Sequence, residues 1–400
     1  PTIAMEAPRE GPGHSVGSYD WLRVVRHEFT HTVTLSRTKN RIPHWFTEAS
    51  AVNMEDSPRD YGTCQLLESA IEEDSLLDFG EINVAFVRPK KKTDRQQAYM
   101  QGQWMYEYMI KKWGNRAPLD LMDRYAAGER EGAAIKAVLG VDQGEFMGQF
   151  KEWAGKELAS WGMGPQTPSI LDLLKEEGEK AAKAKAEKDA AAPKPAEGKE
   201  EVKPVEKTAK EKDDEPEPTI AMVDGWLEKY PDRPDILSLA VRLTLNEADG
   251  KPTEDMVPLL ERYAKARPVD PLPHKLMTRL YTARKAGEEW PVDRATKAIP
   301  HLEYLDAREQ NSAAYAAELA RAYQVVGDLD KAAAKADRAC IIAPYEAGHR
   351  ELAATIAMLK KDYLTAERHI LALTKLEPDR PIHARRLEAL RKVMNGAPAR

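Results

Sequence analysis

The chain has 400 residues, more than one ordinary hydrophobic core organises, so its length predicts at least two domains. Its net charge of -6 and pI near 6.0 offer no general basic surface, which excludes nucleic acid as a general partner. No window approaches eighteen uninterrupted apolar residues, so we expect no membrane-spanning helix within the chain.

Five helices are predicted in the first part of the chain from apolar spacing and stop signals. They cover residues 19–34 with Ser18 as the N-cap, a segment that begins after Pro43, and residues 96–114, 118–127 and 143–161. Strand signal is confined to residues 2–5 and 84–87.

The first predicted helix carries a His-Glu-x-x-His string formed by His27, Glu28 and His31. Residues four apart share one face of a helix, so the two imidazoles can bind one metal ion while Glu28 lies beside it. For this string alone, two alternatives stay open. The string can occur by chance, or the two histidines can be core residues whose hydrogen bonds are made within a helical core.

The next predicted helix holds Glu48, sixteen residues beyond His31 and within an otherwise apolar stretch. A catalytic zinc ion takes three protein ligands, and a carboxylate from an adjacent helix is a common third ligand. An unpaired carboxylate would be costly in such a stretch, so Glu48 favours the metal interpretation. Candidates for orienting the imidazoles from outside the ligand set are Asn53, Glu55 and Asp56, and His44 is interpreted as a surface or turn residue.

The string from Trp45 to Ala49, together with the preceding His27 helix, resembles the gluzincin superfamily of metallopeptidases. It is most similar to the bacterial peptidase MA-like domains that precede tetratricopeptide repeats, although Ala49 replaces their usual glycine. The resemblance implies a thermolysin-like catalytic domain over residues 1–165, with its N-terminal sheet missing from this sequence. It also implies that Tyr99, which opens a Tyr-x-x-Gly string, hydrogen-bonds the developing oxyanion.

Residues 3–7 partly match the strand by which gluzincin aminopeptidases hold the free amine of a substrate. Only the Met5-Glu6 core and one alanine agree, and an aminopeptidase remains an alternative on this ground. We favour an edge strand beside the cleft, whose backbone pairs with an extended peptide.

Residues 175–218 consist almost wholly of Lys, Glu, Asp, Ala and Pro, which predicts a disordered linker, helical at most up to Ala192. Beyond it, a 34-residue offset relates Pro344 to Pro378 and Asp328 to Asp362, which is the tetratricopeptide period. Residues 219–396 are therefore predicted to form tetratricopeptide-like repeats stacked in an α-solenoid.

The sequence thus predicts a mainly α protein that hydrolyses peptide bonds. One Zn²⁺ held by His27, His31 and Glu48 would lower the pKa of a water, Glu28 would act as general base, and Tyr99 would assist. The alternative is an inactive peptidase-like scaffold whose repeats bind a protein partner, and the retention of Glu28 favours the enzyme. The resemblance further implies a peptide or protein substrate and an extracytoplasmic bacterial location.

Overall fold

The computed structural model describes residues 3–9, 17–191, 217–285 and 287–396. Regular structure in this part of the chain consists of nineteen α-helices and one short 3-10 helix, with no β-strand. The fold is therefore mainly α, as the sequence predicts. Two compact units are formed, one by Pro1–Trp161 with Val269–Arg400 and the other by Gly162–Pro268. None of the described helices is long and apolar enough to cross a bilayer.

Eight helices precede residue 161. They are α1 (Trp21–Arg37), α2 (His44–Met54), α3 (Tyr61–Glu72), α4 (Phe79–Val87), α5 (Asp94–Trp113), α6 (Ala117–Ala127), α7 (Glu131–Leu139) and α8 (Gln143–Ser160). The five predicted helices correspond to α1, α2, α5, α6 and α8. The N-cap of α1 is Asp20, not the predicted Ser18, because the Asp20 carboxylate accepts a hydrogen bond from the Arg23 amide at 3.4 Å.

Both predicted strand segments are corrected by the structure. The described residues 3–7 have no regular secondary structure, so the edge strand predicted there is wrong; residue 2 lies outside the described part. Residues 84–87 belong to α4. Asp78 and Glu81 form a reciprocal capping box that starts this helix, and its local hydrogen bonds outweigh the strand preference of the apolar residues that follow.

Helix α2 lies at the centre of this region and packs against α1, α4 and α5. Trp45 and Phe46 are fully buried, and the Trp45 indole donates to the Glu131 carboxylate at 2.6 Å. Helix α5 crosses α2 at Gly102, and Ala49 of α2 is the small residue that faces this glycine. This close crossing buries the middle of α2, and Glu48 with it.

The Gly162–Pro268 unit contains α9 (Ile170–Ala191), α10 (Ile220–Lys229), α11 (Pro234–Glu247), a 3-10 helix (Glu254–Met256) and α12 (Val257–Ala266). Its core is built from Leu173, Val223, Trp226 and Ile236. Helix α9 covers residues 175–191 of the predicted linker, and the rest of that linker up to residue 216 lies outside the described residues.

Seven helices follow residue 268, each packed on the next in the chain. They are α13 (Leu272–Thr282), α14 (Val292–Arg308), α15 (Ala314–Val326), α16 (Leu329–Ile342), α17 (Ala347–Leu359), α18 (Tyr363–Leu376) and α19 (Pro381–Gly396). Asp328 and Asp362, 34 residues apart, cap α16 and α18 with their carboxylates. Ala332 and Ala366, at the same offset, are fully buried between helices. The region is a solenoid-like stack of helix pairs.

Candidate metal centre

Helix α1 presents His27 and His31 on one face, one turn apart. Their Nε2 atoms are 3.1 Å from each other, and the two rings meet edge to face with centroids 4.8 Å apart. Both side chains are mostly buried. The i, i+4 spacing therefore brings two potential ligand nitrogens to one point, as the sequence predicts.

Glu48 reaches the same point from α2. Its Oε2 atom lies 3.4 Å from His27 Nε2 and 3.5 Å from His31 Nε2. Among the described residues, this buried oxygen has no hydrogen-bond partner. Tetrahedral zinc with ligand distances of about 2.0–2.2 Å requires ligand atoms about 3.4 Å apart. The triangle of 3.1, 3.4 and 3.5 Å fits that requirement, and these three residues are the metal-competent group among the described residues.

The outer nitrogens of both imidazoles are engaged by neighbouring side chains. His27 Nδ1 is 2.8 Å from a Glu55 carboxylate oxygen, and His31 Nδ1 is 2.9 Å from the Thr47 hydroxyl. The Thr47 hydroxyl also lies 2.7 Å from that of Thr34. Contacts at Nδ1 leave Nε2 free to face inward, which is the arrangement that orients histidine ligands.

Three residues were predicted to orient the imidazoles, and one of them contacts an imidazole ring in the structure. Glu55 makes the contact to His27, whereas Asp56 is exposed with a left-handed backbone, and among the described residues Asn53 forms no hydrogen bond with either ring. Thr47 was missed by sequence reasoning. The sequence feature that could have indicated Thr47 is its position directly before Glu48, because a hydroxyl next to a metal-ligand candidate can reach a neighbouring histidine ring.

Charges at the cluster shift two pKa values in opposite directions. Burial alone would lower the pKa of His27, but the close contacts with Glu48 and Glu55 and the charges of both carboxylates outweigh it and raise the pKa to about 9. Burial would raise the pKa of Glu48, yet the two histidines lower it well below its usual range. The carboxylates Glu48 and Glu55 thus stabilise positive charge on His27.

Two cavities flank the cluster and contain the predicted catalytic side chains. Glu28 lines a cavity of about 860 Å³ together with His31 and Glu48. Tyr99 lines a second cavity of about 610 Å³ together with His27. Burial, followed by the negative charge of Glu48, raises the pKa of Tyr99 to about 12, which keeps its hydroxyl protonated.

His44 has a contact that the sequence interpretation did not include. It is the first residue of α2, and its side chain is 44% exposed, in keeping with a surface position. Its Nε2 atom nevertheless lies 3.2 Å from Glu48 Oε1, and its ring stacks on Phe86 with centroids 4.9 Å apart. The i, i+4 spacing from His44 to Glu48 was the signal that could have revealed this contact.

Glu6, the residue on which the aminopeptidase alternative depends, lines neither cavity. Its backbone carbonyl accepts a hydrogen bond from the Tyr19 hydroxyl. Ile3, in contrast, lines the larger cavity beside Glu28. The segment therefore reaches the larger cavity at Ile3, and the metal-competent group among the described residues consists of His27, His31 and Glu48.

Comparisons with known proteins give one family match. Among curated proteins no match to the chain was found. Two solved structures, titled "MamA RS-1 ArsTM double mutant" and "MamA 41-end from Desulfovibrio magneticus RS-1", are each 19% identical to this chain with a TM-score of 0.29. Both matches cover 40% of this chain, and 84% and 85% of the respective MamA chains. Residues 13–156, which include the whole cluster, match the family model described as the Peptidase MA superfamily.

Proposed function

We propose that this protein is a zinc-dependent metallopeptidase that hydrolyses peptide bonds. The observation that carries the proposal is the triangle of His27, His31 and Glu48, whose ligand atoms are spaced as zinc requires. The Glu48 oxygen at one corner is buried and has no hydrogen-bond partner among the described residues. The match of residues 13–156 to the Peptidase MA superfamily supports the same class of chemistry.

The three residues would hold one zinc ion through two imidazole nitrogens and one carboxylate oxygen. When bound, zinc supplies Lewis acidity, which polarises a carbonyl and makes a water easier to deprotonate. Glu55 and Thr47 would hold the imidazoles in the tautomer that leaves Nε2 available.

Glu28 is the general base in this proposal. It shares a cavity with His31 and Glu48, where a substrate carbonyl and a water can meet. Its carboxylate takes a proton from the attacking water and delivers it to the nitrogen of the leaving amine. Tyr99 donates its hydroxyl proton in a hydrogen bond to the carbonyl oxygen as negative charge develops there, since its raised pKa keeps the proton in place.

The cavities favour a peptide that continues on both sides of the cleaved bond. One cavity adjoins His31 and Glu48, and the other adjoins His27 and Tyr99, so the cluster has open space on two sides. An endopeptidase needs such space, whereas an aminopeptidase needs a group that closes one side and binds the free amine. We therefore propose endopeptidase activity, and the repeats are proposed to bind a protein substrate or partner.

The test compares zinc content with cleavage in three proteins. Wild-type protein should contain one zinc ion and cleave a mixed peptide library in a chelator-sensitive manner. Glu28→Gln should keep the zinc and lose at least about a hundredfold in turnover, the range expected for loss of a general base. His31→Ala should lose both zinc and turnover. A Glu28→Gln protein that cleaves at the wild-type rate would refute the assigned role.

The same measurements address the scaffold alternative. A folded wild-type protein that binds no zinc and cleaves no peptide would support a scaffold whose repeats bind a partner. Blocking the amino termini of the peptides addresses the aminopeptidase alternative, since an endopeptidase continues to cleave them.

A further inference from the structure

The start of the metal-binding helix is held by the repeat helices of the same compact unit. The Tyr19 amide donates to the Ile342 carbonyl at 3.2 Å, and the Asp20 amide donates to the Gln310 carbonyl at 2.7 Å. Arg23, in the first turn of α1, donates to the carbonyl of residue 307 at 2.7 Å. Three successive attachments therefore fix where α1 begins.

Arg338 of α16 lies at the centre of this contact. Its guanidinium forms an ion pair with the Asp20 carboxylate, and it donates to Asp306 Oδ1 at 2.9 Å and to the carbonyls of Asp306 and Glu309 at 3.1 and 3.0 Å. Asp20 is 3% exposed and Asp306 is 1% exposed. Lys335 adds a second cation, 2.7 Å from Asp306. One arginine thus joins the N-cap of α1 to the end of α14.

The segment that follows α2 contacts the repeats through Ser57. The Ser57 hydroxyl accepts hydrogen bonds from Arg23 at 3.0 Å and from the Gln310 amide group at 3.1 Å. Ser57 follows Glu55 by two residues, and Glu55 contacts the His27 ring. The repeats therefore contact the segments that enter α1 and leave α2, the two helices that supply all three metal-ligand candidates.

We propose that Arg338 is a positioning residue for the metal centre, an inference that rests on the peptidase function proposed above. Removing its guanidinium would leave Asp20 with Arg23 at 3.2 Å and Asp306 with Lys335 at 2.7 Å, but it would break the link between the two carboxylates and so free the start of α1 to move. His27 lies seven residues, or about 10 Å, beyond Asp20 on the same helix, so a shift at the cap is carried to the imidazole. Metal binding tolerates ligand displacements of only about 0.2 Å.

Under this proposal, the repeats hold the metal-binding helix α1 in position and so take part in catalysis. In a peptidase with a tethered accessory domain, a repeat residue far from the cleft would change stability and leave the metal centre unaltered. If Arg338 positions α1, its loss changes ligand geometry and turnover in protein that is still folded. These outcomes are separable, because the geometry of bound Co²⁺ is visible in its absorption spectrum whether or not peptide is cleaved.

The experiment uses the full chain with Arg338→Gln, Arg338→Lys and Asp20→Asn. Asp20→Asn keeps an N-cap oxygen while losing the charge, so it serves as the milder variant. Lysine keeps the charge of Arg338 but cannot span several acceptors as the guanidinium does. Arg386→Gln is the matched control, because Arg386 binds Glu351 of another repeat helix at 2.6 and 2.8 Å and has no described contact with α1.

Arg338→Gln should lower kcat about tenfold to a hundredfold, the effect expected from displacing catalytic groups by up to about 1 Å, with a smaller change in KM. Its Co²⁺ spectrum should change and its zinc affinity should fall about tenfold. Arg338→Lys and Asp20→Asn should shift in the same direction by less, and Arg386→Gln should match wild type in spectrum and kcat.

Folded Arg338→Gln with a wild-type spectrum and kcat would overturn the inference. If that variant does not fold, Asp20→Asn decides in the same way. Wild-type protein that binds Co²⁺ and cleaves peptide, beside unaltered variants, would refute the positioning role alone. Wild-type protein that does neither would refute the proposed peptidase function, and the positioning role with it.

Discussion

The contact between Glu55 and His27 supplies a test of the metal centre that does not depend on knowing the substrate. The Glu55 carboxylate lies 2.8 Å from His27 Nδ1, and both side chains are largely buried, at 18% and 15% exposure. Glu55→Gln keeps the length of the side chain and removes its charge. A hydrogen bond to a charged group contributes about 1.5–3 kcal/mol, more than a neutral one.

Zinc affinity should therefore fall about tenfold to a hundredfold in Glu55→Gln, the range found when a partner of a histidine ligand is removed. This corresponds to about 1.4–2.7 kcal/mol of binding free energy. Competition with a chromophoric chelator at pH 7.5 measures the loss directly, and thermal unfolding of the metal-free proteins shows whether the fold is retained.

Asp56→Asn is the matched control. This carboxylate is adjacent in the chain and exposed, its backbone φ is +55°, and asparagine tolerates that conformation. Thr47→Val supplies a second comparison, because it removes the neutral hydroxyl contact to His31 and should weaken zinc less than Glu55→Gln does. Zinc affinity of Glu55→Gln within twofold of wild type would refute the idea that Glu55 supports the ligand.

Three further predictions address catalysis, pH and the second compact unit. Tyr99→Phe should retain zinc and lower kcat at least about tenfold with little change in KM, and unchanged kcat would remove Tyr99 from the mechanism. Burial raises the pKa of Glu131 to about 7 from an ordinary 4.5. The protonated carboxyl group therefore makes its full contribution to the free energy of unfolding below pH 4.5, and up to about 3 kcal/mol of it is lost as pH rises through 7. Urea unfolding of Glu131→Gln should show a weaker pH dependence, and an identical profile would contradict this. Gly162→Ala should destabilise Gly162–Pro268 by more than about 2 kcal/mol, since its φ is +67° and a Cβ would lie 2.2 Å from the Ala266 carbonyl. Amide hydrogen exchange measures this against Gly164→Ala, whose φ is also positive but whose Cβ would meet no atom within 4 Å.

The grouping of the three ligand candidates could be predicted because it depends on local geometry. A helix places residues i and i+4 together, so His27 and His31 needed only a correct helix assignment. Glu48 needed one further step, an apolar helix that must bury its single carboxylate. The repeats were predictable for a similar reason, since a 34-residue period places Asp328 and Asp362 at equivalent caps.

Other features could not be predicted because the sequence signal was misleading or nonlocal. Residues 84–87 are apolar and branched enough to suggest a strand, but the capping box before them starts a helix. Ser18 and Asp20 are both good N-caps, and the choice of Asp20 accompanies its ion pair with Arg338. No spacing rule connects two residues 318 positions apart.

The electrostatics of the cluster give a physical reason to expect a cation there. Glu48 has Trp45 and Phe46, both fully buried, as near neighbours in its helix, and a lone carboxylate in such surroundings would be protonated. Its pKa is instead lowered by the two histidines, while the neighbouring carboxylates Glu48 and Glu55 raise that of His27 to about 9. The carboxylates that stabilise positive charge on His27 would likewise favour a cation held by His27, His31 and Glu48. The burial of Glu48 and the contact of Glu55 with His27 are therefore both explained by a site that stabilises positive charge.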